Sequence, residues 1–195
     1  MPKAALVVVD VQRDFCPGGS LPVANGDSIV PALNEVVATF AKSQLPVVFT
    51  RDWHPGDHCS FTAQGGTWPS HCVARTLGAR FHPKLRVPRS AIIISKATLK
   101  NREAYSGFQG TDLRKRLRSL GVTEICVGGL ATDYCVKQTA LDALRAGFGV
   151  EVMKDCVKGV DVRKGDSARA LRLVAKRGAK LTASTAVIKK SRRAA

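Results

Sequence analysis

The sequence predicts an α/β fold, a doubly wound three-layer sandwich built on a parallel sheet. Three observations carry that prediction. Short β-branched apolar runs alternate with stretches of helical periodicity along the chain. The runs are apolar throughout rather than alternating with polar residues, the pattern of strands buried on both faces. Strands separated by helices are joined by right-handed crossovers, which place helices on both sides of the sheet. The 195 residues suit a single domain with a full core, 1–195, ending in a basic tail at about 185–195.

The elements follow in order. Residues 4–9 (AALVVV) form a first strand closed by Asp10, and a Gly/Pro-rich loop (CPGGSLPVANGD) follows. Asp27 or Ser28 caps a helix whose apolar residues Ile29, Leu33, Val36, Val37 and Phe40 recur at helical spacing. Residues 46–50 (PVVFT) and 91–95 (AIIIS) read as the second and third strands, and 111–120 as a helix with a very basic exposed face. Residues 124–129 (EICVGG) are the fourth strand. A helix then runs to Gly147, with Val136, Ala140, Ala143 and Leu144 on one side. Residues 149–153 are the fifth strand, a helix runs from near Asp166 to Gly178, and 180–183 is a weaker last strand. Residues 51–90 lack regular periodicity. Loops that long within a compact domain are usually functional, and this one holds all four histidines.

Composition narrows the function. No apolar run approaches a membrane-spanning length, and the N-terminal run is too short for a signal peptide. The six cysteines show no CxxC pair and no framework spacing, so they are expected as free thiols in a reducing, cytoplasmic setting. The net charge of +16 invites a nucleic-acid reading. However, most of the C-terminal cations fall on the polar face of one helix and in the tail. No aromatic residues are interleaved with them to stack bases. Nucleic acid and membrane are therefore not expected partners, and the charge is assigned to solubility or ligand steering.

Ligands of doubly wound sheets bind outside the carboxyl ends of the strands, and the reactive residue types of this chain collect there. Asp10 ends the first strand, Lys96 the third, and Cys135 falls in the first turn of the helix after the fourth. Free N–H groups and the helix dipole favour a thiolate at such a position. A nucleophilic thiol needs a base that takes its proton and returns it to a leaving group. Asp10 fits that role, with Lys96 holding it. Taken singly, each residue has a bland reading as cap, surface charge or core. Asp52 and His54 lie two apart on an extended segment and so point the same way, and His71 can close the set. One carboxylate and two imidazoles suit Zn²⁺, Mn²⁺ or Fe²⁺. His58 is a fourth ligand or a supporting group. Phe15, Leu21, Trp68 and Tyr134 either wall a pocket for a small flat ring or pack beneath the long loop.

Five segments carry a resemblance: DVQRDFCPGGSL, RDWHPGDHCSF, GTWPSHC, the strand-end lysine with AYSGF, and VGGLATDYCVKQTALDA. Together, over roughly residues 4–160, they resemble the nicotinamidase/pyrazinamidase branch of the isochorismatase-like cysteine hydrolases. The resemblance implies a six-stranded, mainly parallel sheet and a catalytic triad at Asp10, Lys96 and Cys135. It implies a divalent metal, zinc foremost, on Asp52, His54 and His71, which binds the ring nitrogen of nicotinamide. The Leu130–Ala131 bond aligns with a cis peptide, the N–H groups of Ala131 and Cys135 with an oxyanion hole, and Phe15, Leu21, Trp68 and Tyr134 with the ring wall. The implied activity is hydrolysis of nicotinamide to nicotinate and ammonia in NAD salvage, and a homo-oligomer is compatible with it. Two positions depart from the pattern: Ala97 where glycine is common and Glu103 where aspartate is common.

Overall fold

A computed structural model describes residues 3–193. Its strands are β1 (Ala4–Val9), β2 (Val47–Asp52), β3 (Ile92–Lys96), β4 (Glu124–Leu130), β5 (Gly149–Lys158) and β6 (Lys180–Thr182). Its helices are α1 (Val30–Lys42), α2 (Leu113–Ser119), α3 (Lys137–Arg145), α4 (Asp166–Lys176) and α5 (Ser184–Arg193). The strands form one sheet in the order β3-β2-β1-β4-β5-β6, and every neighbouring pair is parallel.

β1 shows why continuous apolar runs become central strands. Leu6 and Val8 point into one core, while Ala5, Val7 and Val9 point into the other. A strand buried on both faces has no position for a polar side chain, and each buried valine contributes about 1.5–3 kcal/mol. α1 and α5 cover the first core through Leu33, Val36, Val37, Phe40 and Val187. α2, α3 and α4 cover the second through Leu113, Leu117, Ala140, Ala143 and Val174.

Most element ends shift by one or two residues, β2 running on to Asp52 within the expected loop, and four departures from the sequence reading matter more. Neither Asp27 nor Ser28 caps α1. Residues Gly26–Ile29 make a 3-10 turn, α1 starts at Val30 with Pro31 in its first turn, and no side chain caps it. β5 extends to Lys158, because a register shift between Val127 and Gly129 lets it re-pair with the end of β4. The fourth strand passes through a π-helical turn, Thr132–Val136, before α3 begins. Within the basic tail expected at about 185–195, residues up to Arg193 belong to the helix α5, and 194–195 lie outside the described residues. The Ser184 N–H and Oγ donate to Asp155 at 2.9 and 2.5 Å, and Lys190 bonds Glu124 and Glu151 on the sheet.

The chain order reverses between β1 and β4, so the connections that leave these adjacent strands run to opposite sides and open a crevice above their carboxyl ends. At its floor a Cβ on Gly129, whose φ is +127°, would lie 2.0 Å from the Val9 carbonyl oxygen. Only glycine allows the exits of β1 and β4 to run so close.

Candidate active site

Asp10 leaves β1 with φ +48° and is fully buried. Its Oδ1 accepts a 2.6 Å hydrogen bond from Thr50 Oγ1. Its Oδ2 forms an ion pair with Lys96 Nζ at 2.9 Å. Lys96, at the end of β3, reaches inward. Its Nζ donates to Asp52 Oδ1 at 2.5 Å, the Ala104 carbonyl at 3.1 Å and Cys135 Sγ at 3.4 Å. Burial works to lower the Lys96 pKa, but Asp10 and Asp52 outweigh it and hold the ammonium well above its ordinary value. Burial raises the Asp10 carboxyl above the usual range, partly opposed by Lys96. Oxygens of Asp10 and Asp52 and the Cys135 sulfur all lie within 4.8 Å of one another. Lys96 supplies the cation they share.

The thiol itself departs from the expectation. Cys135 sits in the π-helical turn, where the carbonyl of Ala131 accepts from the N–H groups of Tyr134 and Val136, both at 3.1 Å. Burial holds the thiol well above its ordinary pKa; Lys96 pulls it down, and Asp10 and Asp52 push it up again. The resting group is a neutral thiol beside a base, rather than a thiolate held by a helix dipole.

Asp52, His54 and His71 are buried, and their ligand atoms lie within 4.8 Å of one another. The donor set fits a divalent metal on one further observation. His54 Nδ1 bonds the carbonyl of His71 at 3.0 Å, and His71 Nδ1 bonds the carbonyl of Pro69 at 2.8 Å. Each ring thereby gives its proton to a carbonyl and leaves Nε2 as a lone pair, the arrangement of metal-ligating histidines. Burial first, and then His71, lower the His54 pKa to about 3, so this imidazole is neutral and ready to ligate. His58 Nδ1 lies 2.8 Å from Ser60 Oγ and its Nε2 3.2 Å from the Arg102 carbonyl. Its ring also stands within 4.8 Å of the ligand atoms of His54 and Glu103, so it borders the ligand set.

The two clusters face one pocket. It encloses about 450 Å³, open solvent at its mouth included. Phe15, Leu21, Trp68 and Tyr134 all line it, together with Ala131 and the buried Cys135. Trp68 and Tyr134 meet edge to face with centroids 5.1 Å apart, and Phe15 lies 5.5 Å from the His71 ring. The Leu130–Ala131 peptide is cis.

Comparison with known proteins places this geometry. The model of the isochorismatase domain matches residues 4–186. The chain belongs to the isochorismatase family. It is similar to the nicotinamidase of Escherichia coli (strain K12), 39% identical over 202 residues that cover 93% of this chain and 95% of the other. It is similar in structure to the pyrazinamidase of Pyrococcus horikoshii in complex with zinc. The TM-score is 0.90 at 51% identity, covering 93% of this chain and 99% of that one. A third likeness is to PnC1 from L. infantum in complex with nicotinate, with a TM-score of 0.85, 34% identity and 94% coverage of both chains.

Several residues of this isochorismatase-family site escaped the sequence reading. Tyr105 lines the pocket, and its hydroxyl accepts from Trp68 Nε1 at 2.9 Å. Asp14 ties the first loop to the histidine loop, accepting from the Cys72 N–H at 2.7 Å and from the Ser20 N–H at 3.2 Å. Asp133 accepts from the N–H groups of Val160 and Asp161 at 3.0 and 2.8 Å and so fastens the pocket wall to the nucleophile turn. Thr50 and Gln12 grip the carboxyl ends of β1 and β2. A polar residue one or two places from a strand-end acid was the available signal, but its partner lies far away in sequence.

Proposed function

We propose that this chain hydrolyses nicotinamide to nicotinate and ammonia, the amide-recycling step of NAD salvage, through a thioester on Cys135. One observation carries the reading. A neutral thiol beside a raised carboxyl lines an aromatic-walled pocket that a metal-type ligand set lines as well.

Asp10 takes the Cys135 proton as the sulfur attacks the carboxamide carbon. Burial raises the Asp10 carboxyl toward the range in which one group both accepts and donates a proton. Lys96 keeps its proton throughout and balances the negative charge that moves between sulfur and carboxylate. The backbone N–H groups of Ala131 and Cys135 are assigned to the oxyanion, each such donor contributing about 3 kcal/mol in the transition state. On collapse the C–N bond breaks, and Asp10 gives its proton to the departing nitrogen, which leaves as ammonia. Asp10 then takes a proton from water as the water oxygen attacks the thioester carbon. The C–S bond breaks, and Asp10 gives that proton to the departing sulfur so that thiol and carboxylate are both restored. The carboxylic acid product loses its own proton to solvent as nicotinate.

Phe15, Leu21, Trp68 and Tyr134 supply the wall against which the ring packs, with Tyr105 beside them. Asp52, His54 and His71 would hold a divalent cation, which would supply a Lewis-acidic anchor for the ring nitrogen. We assign Zn²⁺ over Mn²⁺ or Fe²⁺, in line with the zinc complex of the P. horikoshii relative. All six cysteines are free thiols, which fits a reducing cytoplasm. Among the described residues no helix is long and apolar enough to cross a membrane.

The test is ammonia release from nicotinamide by purified protein, with mass spectrometry of the acyl adduct on Cys135. A Cys135→Ala variant that keeps full turnover would sink the assignment. Preference for a carbamoyl amide over nicotinamide would move the substrate within the family.

A further inference from the structure

The β1–β2 ladder ends at the pair Val9 and Thr50, two residues short of Asp52. Beyond that point β1 has turned away, and the backbone of Asp52 on that side lacks a strand partner. The fully buried side chain of Gln12 fills the gap. Its Oε1 accepts from the Asp52 N–H at 2.8 Å, and its Nε2 donates to the Asp52 carbonyl at 2.8 Å. The same Nε2 donates to the carbonyl of Ala79, on the segment that returns from His71, at 3.0 Å. One carboxamide thus replaces a missing rung and closes the histidine loop onto it. Asp52 is the residue both clusters share, since its Oδ1 holds Lys96 Nζ and its carboxylate belongs to the ligand set with His54 and His71.

We infer that Gln12 is a positioning residue that sets the metal ligands and, through Asp52, the lysine of the nucleophile cluster. The inference rests on the reading that Asp52, His54 and His71 hold a divalent cation. Gln12 touches neither metal nor substrate. It fixes the backbone from which the shared carboxylate projects, and in metal sites the loss of such support costs about 10–100-fold in affinity.

The experiment is a competition titration of metal-freed protein with Zn²⁺ alone, comparing the unmodified chain, Gln12→Met and Asn34→Leu. Asn34 makes a similar amide clamp far from the site, with Nδ2 donating to the Lys84 carbonyl and Oδ1 accepting from the Arg86 N–H, both at 2.8 Å. Gln12→Met is expected to weaken zinc binding about 10–100-fold, and Asn34→Leu to leave it unchanged. Equal zinc affinity in Gln12→Met, or an equal loss in both variants, would overturn the inference alone. Absence of zinc binding in the unmodified chain would bring down the metal site and the inference with it. Hydrogen exchange on the unmodified protein needs no variant to fold. The Asp52 N–H must exchange more slowly with zinc bound, because coupling between clamp and metal is reciprocal. Equal exchange with and without zinc overturns the coupling.

Discussion

Between Ala5 and Val9, β1 buries only hydrocarbon, shared between two cores. One residue further along, the same chain buries the Asp10 carboxylate against the Lys96 ammonium. The body of the sheet is held by many weak, non-directional contacts that substitute for one another. The carboxyl edge is held by a few directional bonds among charges: Asp10, Asp52 and Lys96, with Thr50 and Gln12 supporting them. An ion set of this kind adds little net stability because desolvation offsets attraction, yet removing one member strands the others. The body should therefore fail gradually and without chemical consequence, and the edge abruptly and with one.

The sharpest separation is expected from Cys135→Ala. Turnover of nicotinamide should fall at least about 10⁴-fold while thermal unfolding barely moves, as assayed by ammonia release and calorimetry. Lys96→Met should both abolish turnover and destabilise the fold by about 3–5 kcal/mol in urea unfolding, because two buried carboxylates lose their cation. If its stability is unchanged, the edge is not held as described. Phe40→Ala, in the body of α1, should cost a similar 3–5 kcal/mol or so but leave kcat of the folded protein intact.

A smaller effect is expected with pH. His54, with its pKa near 3 against an ordinary 6.5, binds fewer protons in the folded state than in the unfolded one. Its contribution is complete above pH 6.5 and is lost as pH falls toward 3. Metal-free protein should lose up to about 1.4 kcal/mol per pH unit from this group. Asp10, with its raised carboxyl, pulls the other way. The His54 part is therefore read as the slope that disappears in His54→Gln. The smallest effect is reserved for the exposed surface, where Arg172→Gln should stay within about 0.5 kcal/mol of the unmodified chain.

The strands were legible because burial on both faces leaves an unbroken apolar run, and the strand-end rule then located Asp10, Lys96 and Cys135. The histidine loop was legible in residue type but not in shape. Its backbone is fixed by bonds such as the Cys72 N–H to Asp14, which join residues far apart in sequence. α5 was hidden for a similar reason. Val187 and Ile188 are too few to mark a periodic face, and what orders the helix is Asp155 at its start and two sheet glutamates on Lys190. The charge state of Cys135 could not be read from position either. Helix geometry alone favours a thiolate, while burial between two carboxylates favours the thiol.

That last feature bears on how the protein endures rather than on how it reacts. Peroxide and alkylating agents attack thiolates, and sulfinic and sulfonic products are dead ends for a nucleophile. With its proton in place at rest, Cys135 offers such reagents little to attack, and the Cys72 thiol nearby is held well above its ordinary pKa by burial and by Asp52 and Asp14. The burial that raises the thiol, reinforced by Asp10 and Asp52, thereby shields the nucleophile from oxidation at rest.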